Sequence, residues 1–264
     1  MKARLLDSVC VVSNDGCTAN LETALARDLP RCEPTPAHGR ALAVIGGGPS
    51  VRWHIEELRA WSGDLWAVNG VYEYLLDEGV VPTGFIGVDP LPGLAEYVKR
   101  AHPDTTFLMS GLCDPSVFDR LKGHQVSLWF PEQSGMKFPG GLWIVNGGTT
   151  GLTRTPFLAR MLGYRDITIF GADSSFDEDS RYCYKYGSFA EDSKAKVIFA
   201  EIEGEGIFPT EIALAKQVAQ FWAIKQSLGD ELKFKCGGLL AAFLRSPTMD
   251  DSLIELEDAR TDAA

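Results

Sequence analysis

The chain has 264 residues, 45% of them hydrophobic and 23% charged, the make-up of a folded globular protein, which excludes collagen-like, disordered and disulfide-scaffold classes. Its 25 Lys and Arg against 36 Asp and Glu leave a net charge of −11, which repels a phosphate backbone and argues against general nucleic-acid binding. The longest apolar runs, such as 239–244, fall far short of the roughly 18 residues of a membrane helix, so no membrane partner is expected.

Residues 1–40 read as an N-terminal appendage, with a short apolar run at 9–12, a helix over 19–27, and then Pro30, Pro34 and Pro36 as a boundary. Asp7 breaks the apolar run that a signal peptide needs, so secretion is not indicated. From residue 41 short apolar runs alternate with amphipathic segments. Strands are predicted over 41–45, 65–68, 84–88, 106–109, 126–130, 143–145 and 167–170, with helices over 51–61, 71–78, 94–100, 115–121 and 150–162. This rhythm predicts an α/β fold, a doubly wound, mostly parallel Rossmann-like sheet with helices on both faces.

The predicted domain spans 41–248 and carries an insertion over 172–206, with Tyr182, Tyr184 and Tyr186 followed by a hairpin through 197–207. A helix over 210–228, opened by Pro209 and closed by Gly229, leads to a last strand over 232–236, and 249–264 reads as an acidic tail. Cys10, Cys17, Cys32, Cys113, Cys183 and Cys236 stand apart without a Cys-x-x-Cys pair. No zinc or redox motif is read from them, and they are expected as reduced thiols of a cytoplasmic protein.

In a doubly wound sheet ligands bind beyond the carboxyl ends of the strands, where this sequence places small and polar residues. Gly46, Gly47, Gly48, Pro49 and Ser50 join the first strand to a helix. Glycines admit an anion closely, Pro49 suits the first helical position, Ser50 adds a hydroxyl, and the N–H groups of the first turn would cradle a phosphate. The alternative is a tight turn whose glycines satisfy geometry alone. No Lys-Ser/Thr follows, which excludes a Walker loop, and Val51 stands where the dinucleotide fingerprint has its third glycine.

Asn69 ends the second strand, as a ribose or base contact or as a helix cap. Asp89 ends the third, placed to hold Mg²⁺ beside a phosphate or simply to terminate the strand. A second glycine-rich element, Asn146, Gly147, Gly148, Thr149, Thr150 and Gly151, precedes a helix with Arg154 one turn in. It reads as a second anion or ribose site, or as a capped helix with a solvated arginine. Asp173, just past the strand over 167–170, is the first choice for a catalytic carboxylate that binds metal or orients an attacking hydroxyl. The alternating tyrosines offer rings for stacking a flat acceptor, or mark a half-buried strand.

The blocks Val44-Ile45-Gly46-Gly47-Gly48-Pro49-Ser50, Ala67-Val68-Asn69-Gly70, Val81-Pro82 with Asp89, and the stretch 159–173 together resemble the MptE-like family, Rossmann-type proteins named after an archaeal 6-hydroxymethylpterin diphosphokinase, over 41–176. Its members include proteins that look phage-encoded. The resemblance implies an enzyme that takes ATP and Mg²⁺ and moves a diphosphate to a hydroxymethyl acceptor, with Gly46 to Ser50 on phosphates and Asp89 and Asp173 as metal or acceptor carboxylates. The Gly-Pro-Ser loop and strand-end Asn are also similar to bacterial sialyltransferase-like enzymes, which bind a CMP-sugar. Those use a histidine base, and none of His38, His54, His102 and His124 falls at a predicted strand's carboxyl end. The expected protein is therefore a nucleotide-dependent transferase with a nucleotide and a small-molecule acceptor as partners. Glycosyl transfer, a non-catalytic nucleotide-binding or assembly role, and homo-oligomerisation stay open.

Overall fold

The computed structural model describes residues 12–177, 180–184 and 197–246. Eight parallel strands form one sheet: β1 (Ala41–Ile45), β2 (Asp64–Val68), β3 (Gly84–Gly87), β4 (Thr106–Ser110), β5 (Gln125–Pro131), β6 (Ile144–Val145), β7 (Asp166–Phe170) and β10 (Leu232–Lys235). Their spatial order is β10-β7-β1-β2-β3-β4-β5-β6. In register, Val44 of β1 lies between Trp66 of β2 and Ile169 of β7.

Side chains alternate across a strand, so Ala43 and Ile45 enter one core while Leu42 and Val44 enter the other. Both faces are covered, which is why the strands read as unbroken apolar runs. The first face carries α1 (Asn14–Leu25), α2 (Ile55–Arg59), α3 (Val71–Asp77) and α4 (Pro115–Arg120), with 3-10 turns at Pro49–His54 and Pro92–Val98. The second carries α5 (Gly151–Met161), α6 (Ile212–Leu228) and α7 (Gly238–Arg245), which bury Leu158, Phe221, Leu240 and Phe243. A separate antiparallel hairpin, β8 (Ile198–Ile202) and β9 (Gly206–Thr210), packs Ala200 and Ile202 into that second core. The α/β architecture read from the sequence is therefore the one observed.

Several local readings are corrected. From Ser13 on, the expected appendage is part of the core. Ser13 caps α1 by accepting the Gly16 N–H at 3.2 Å, and α1 buries Cys17, Leu21 and Ala24. The chain then runs beside β5, where the Leu128 N–H donates to Pro30 and the Cys32 N–H donates to Leu128, each at 2.7 Å. Prolines fix an extended chain, and an extended chain can lie along a fold as readily as it can separate two. The expected helix over 51–61 opens as a 3-10 turn and becomes α-helical only at Ile55. Pro209 belongs to β9, and α6 starts instead from Glu211 as its N-cap. The apolar run 239–244 is the body of α7.

Cys32, Cys113, Cys183 and Cys236 carry free thiols. Burial pushes those of Cys32, Cys183 and Cys236 up to about 12, so they are inert at neutral pH. Among the described residues no helix is long and apolar enough to cross a membrane. Cys10, Tyr186 and the acidic tail 249–264 lie outside the described residues.

Candidate functional site

The chain adds β2 to β6 on one side of β1, then returns through α5 to place β7 on the other side. Such a reversal opens a crevice at the carboxyl ends of the two central strands, the place where open α/β sheets bind ligands. A cavity of about 610 Å³ lies there, within the roughly 300–1,000 Å³ typical of small-molecule sites. Gly46, Gly47 and Gly48 of the first bend and Thr150 and Gly151 of the second line it together, with Asn69 and Asp89 from the neighbouring strand ends.

The first bend spends its donors internally. The Gly46 N–H donates to Phe170 at 2.8 Å and the Gly48 N–H to Gly171 at 2.9 Å, and the Val51 N–H turns back to Gly48 at 3.2 Å. The Ser50 N–H donates to Asp173 at 2.7 Å. Among the described residues this leaves the Gly47 N–H, so the expected phosphate cradle is reduced to one backbone donor. Two of the glycines answer packing needs: a Cβ at Gly46 or Gly48 would stand 2.8 or 2.6 Å from the Gly171 carbonyl. Pro49 begins the 3-10 turn and is buried with Ser50, and neither lines the cavity.

Asp173 is 4% exposed and accepts three hydrogen bonds, from the Ser50 N–H at 2.7 Å, the Ser50 hydroxyl at 2.5 Å and the Gly237 N–H at 2.9 Å. A carboxylate so engaged ties the β1 bend, the end of β7 and the start of α7 together. Three of its roughly four lone-pair sites are taken, which gives Asp173 a structural role at a position that also lines the cavity. Asp89 is different. One of its oxygens accepts the Leu91 N–H at 2.9 Å, and burial raises its pKa above the ordinary carboxylate value against that bond.

The second bend divides in the same way. Thr150 caps α5 in a reciprocal pair with Thr153, and Thr149 donates its N–H to Gln220 at 3.0 Å. Asn146, Gly147, Gly148 and Thr149 do not line the cavity. Gly147 and Gly148 have φ of 106° and 55°, which glycine adopts freely. Arg154, expected to reach a phosphate, is 6% exposed and donates to the carbonyls of Gly148 at 3.3 Å and Glu132 at 3.1 Å.

Arg52, Arg181, Glu211 and Ser174 had no signal in the sequence beyond their residue type. Arg52, two residues past Ser50, donates to Asp177 at 2.9 Å, the Ser180 hydroxyl at 2.7 Å and the Tyr182 carbonyl at 2.8 Å. It thereby holds the segment 180–184 over the first bend, where the Cys183 N–H donates to Gly47 at 2.9 Å. Tyr182 and Tyr184 stack on each other, 5.0 Å apart and 7° from parallel, and both line the cavity. Arg181 pairs with Glu211, and with Ser174 they form the wall toward α6. Among the described residues the charged lining is Arg181 with Asp89, Asp173 and Glu211.

A family model described as 6-hydroxymethylpterin diphosphokinase MptE-like matches residues 17–179, well over half of the 264. The chain belongs to the MptE-like family. The match includes α1, in accord with its place in the core. Among solved structures the chain is similar to the MAf glycosyltransferase from Magnetospirillum magneticum AMB-1, with a TM-score of 0.65 and 16% identity over 89% of this chain. The chain spans 38% of that protein's length, and at this identity the likeness speaks to fold. A comparison with curated proteins finds no match. Membership in the MptE-like family supports a nucleotide-related transferase in general.

Proposed function

We propose that the protein is a nucleotide-dependent transferase that seats its cosubstrate in the cavity at the β1–β7 crevice. Following the family description, the reaction is transfer of diphosphate from ATP to a small hydroxymethyl acceptor. The observation that carries this reading is the cavity shared by both glycine bends and the strand-end residues Asn69 and Asp89. The acceptor oxygen would bond to the β-phosphorus as the bond to the bridging α,β-oxygen breaks and AMP leaves. Asp89, whose raised pKa suits a proton acceptor, would take the hydroxyl proton. The rest of catalysis is positioning, as phosphoryl-type transfer requires.

Among the described residues no three His, Cys, Asp or Glu side chains converge, but Mg²⁺ needs only one or two protein carboxylates beside substrate phosphates, and Asp89 lines the cavity to supply one. Mg²⁺ belongs to this reading as part of the metal–nucleotide substrate. A second reading, transfer from a sugar nucleotide, is favoured by the one cation among three carboxylates in the described lining, because a sugar nucleotide brings less phosphate charge than ATP.

A thermal-shift panel of ATP, GTP, CTP, CMP and UDP, each with and without Mg²⁺, tests both. A ligand at 100 times its Kd adds roughly 2.7 kcal/mol of stability. A shift by ATP with Mg²⁺, and AMP formed with a hydroxymethylpterin, supports diphosphate transfer. A shift by CMP that survives chelation supports glycosyl transfer, and no shift by any nucleotide rejects both.

A further inference from the structure

Seven buried side-chain polar atoms in the described residues have no hydrogen-bond partner, and four belong to residues that line the cavity: Asn69 Oδ1, Ser174 Oγ, Arg181 Nε and Glu211 Oε2. Each carries an uncompensated desolvation cost, and buried unsatisfied groups gathered at one cavity call for a functional explanation. Ser174 and Glu211 are 5% and 4% exposed. Asn69 and Ser174 also hold left-handed backbone, with φ of 55° and 54°, a strain that persists where function maintains it.

The atom types define the partner. Asn69 Oδ1 and ionised Glu211 Oε2 only accept, Arg181 Nε only donates, and Ser174 Oγ does both. A phosphate would serve Arg181, leave Asn69 and Glu211 unpaired, and set its charge against a carboxylate. Hydroxyls donate and accept at once, and an uncharged ring bearing them leaves the Arg181–Glu211 pair balanced. The wall is also built to hold its groups in place. Glu211 is the N-cap of α6 and takes Arg181 on its other oxygen, and the Thr210 hydroxyl donates to the Ser174 carbonyl at 2.7 Å.

We propose that Asn69, Ser174 and Glu211, with Arg181, form a subsite for an uncharged polyhydroxylated ring, the ribose of the nucleotide or a sugar carried on it. The proposal rests on the nucleotide reading above for the source of the ring. All four atoms are shielded from water, so seating the ring requires neighbouring side chains to turn aside.

Calorimetric titration of the full chain separates the sources. ATP and CTP are compared with their 2′,3′-dideoxy forms, and UDP-glucose and CMP-N-acetylneuraminate with UDP and CMP. A ribose subsite makes the dideoxy forms at least tenfold weaker, and a sugar subsite makes the sugar nucleotides at least tenfold tighter. Asn69→Gly and Ser174→Ala remove atoms unpaired in the free protein, so each is expected to leave the Tm unchanged or higher while erasing the tenfold preference. A merely structural role would lower the Tm and leave the preference intact. Nucleotide binding without either preference overturns the subsite and spares the nucleotide reading. Binding of free methyl ribofuranoside or glucose with no nucleotide binding does the reverse, and no binding of any probe overturns both.

Discussion

Ser50 and Asp173 grip each other across the first glycine bend, with the serine N–H on one carboxylate oxygen at 2.7 Å and its hydroxyl on the other at 2.5 Å. The Gly237 N–H completes the set at 2.9 Å. One carboxylate thus joins three segments that meet only at this end of the sheet. Asp173→Asn turns one acceptor into a donor facing another donor. Hydrogen bonds to charged groups contribute about 1.5–3 kcal/mol, and an unsatisfied buried group costs a similar amount. The variant should lose about 3 kcal/mol in a denaturant titration, with activity falling in step. Wild-type stability with turnover abolished would place Asp173 in the chemistry.

Adjacent glycines should respond differently to alanine. At Gly48 the added Cβ would stand 2.6 Å from the Gly171 carbonyl and 2.8 Å from the Asp173 carboxyl carbon, neither of which can retreat without breaking the clasp. Overpacking of this kind costs about 1–3 kcal/mol. At Gly47 the neighbours are the Tyr184 and Tyr182 rings at 3.0 and 3.1 Å, which can shift by a few tenths of an ångström. Gly47→Ala should therefore change stability by less than about 0.5 kcal/mol while altering nucleotide affinity. Denaturation midpoints and titrations on both variants check the contrast, which disappears if the two lose equal stability.

The sheet was legible because strands buried on both faces, such as 41–45 and 167–170, announce themselves as apolar runs between turn residues. The location of the crevice followed from that alternation. The roles inside it did not. Asp173 and Arg154 have the residue types of a binding site at the expected strand end and helix start, yet each also bonds to internal partners that a linear pattern cannot display. Arg52 and Glu211 were missed for the same reason. Arg52 acts on a segment more than a hundred residues away, and Glu211 caps a helix whose start the sequence placed at Pro209. The prolines at 30, 34 and 36 record an extended path, and only the backbone bonds to Leu128 show that the path follows the sheet.

Arg52 is the clamp on segment 180–184. Arg52→Ala removes its bonds to Asp177, Ser180 and Tyr182 but leaves the sheet and both cores untouched. The amides of 182–184 should then exchange hydrogen faster, with a global midpoint close to wild type, since local opening draws on local contacts. Hydrogen exchange read peptide by peptide checks this. Unchanged protection at Cys183, whose N–H donates to Gly47, would show that the stacked tyrosines hold the segment without the arginine.

Asp89 links acidity to both stability and rate. Burial raises its folded-state pKa above 3.8, and the Leu91 N–H only partly opposes this. The native state then keeps a proton that the unfolded chain has released, so the contribution of Asp89 to stability falls as pH rises from the unfolded value through the raised one. Above that window the cost of a desolvated carboxylate is fully present. Asp89→Asn should be at least as stable as wild type at pH 7, with the advantage vanishing as the pH drops below the unfolded value. Turnover should show the opposite sign. The carboxylate must be ionised to take the acceptor's proton, so the wild-type rate falls as pH drops through the raised pKa, while the variant is slow throughout. Paired pH profiles of Tm and kcat/KM test this. If Asp89→Asn proves less stable at neutral pH and retains the wild-type acid limb, Asp89 is removed from the reaction.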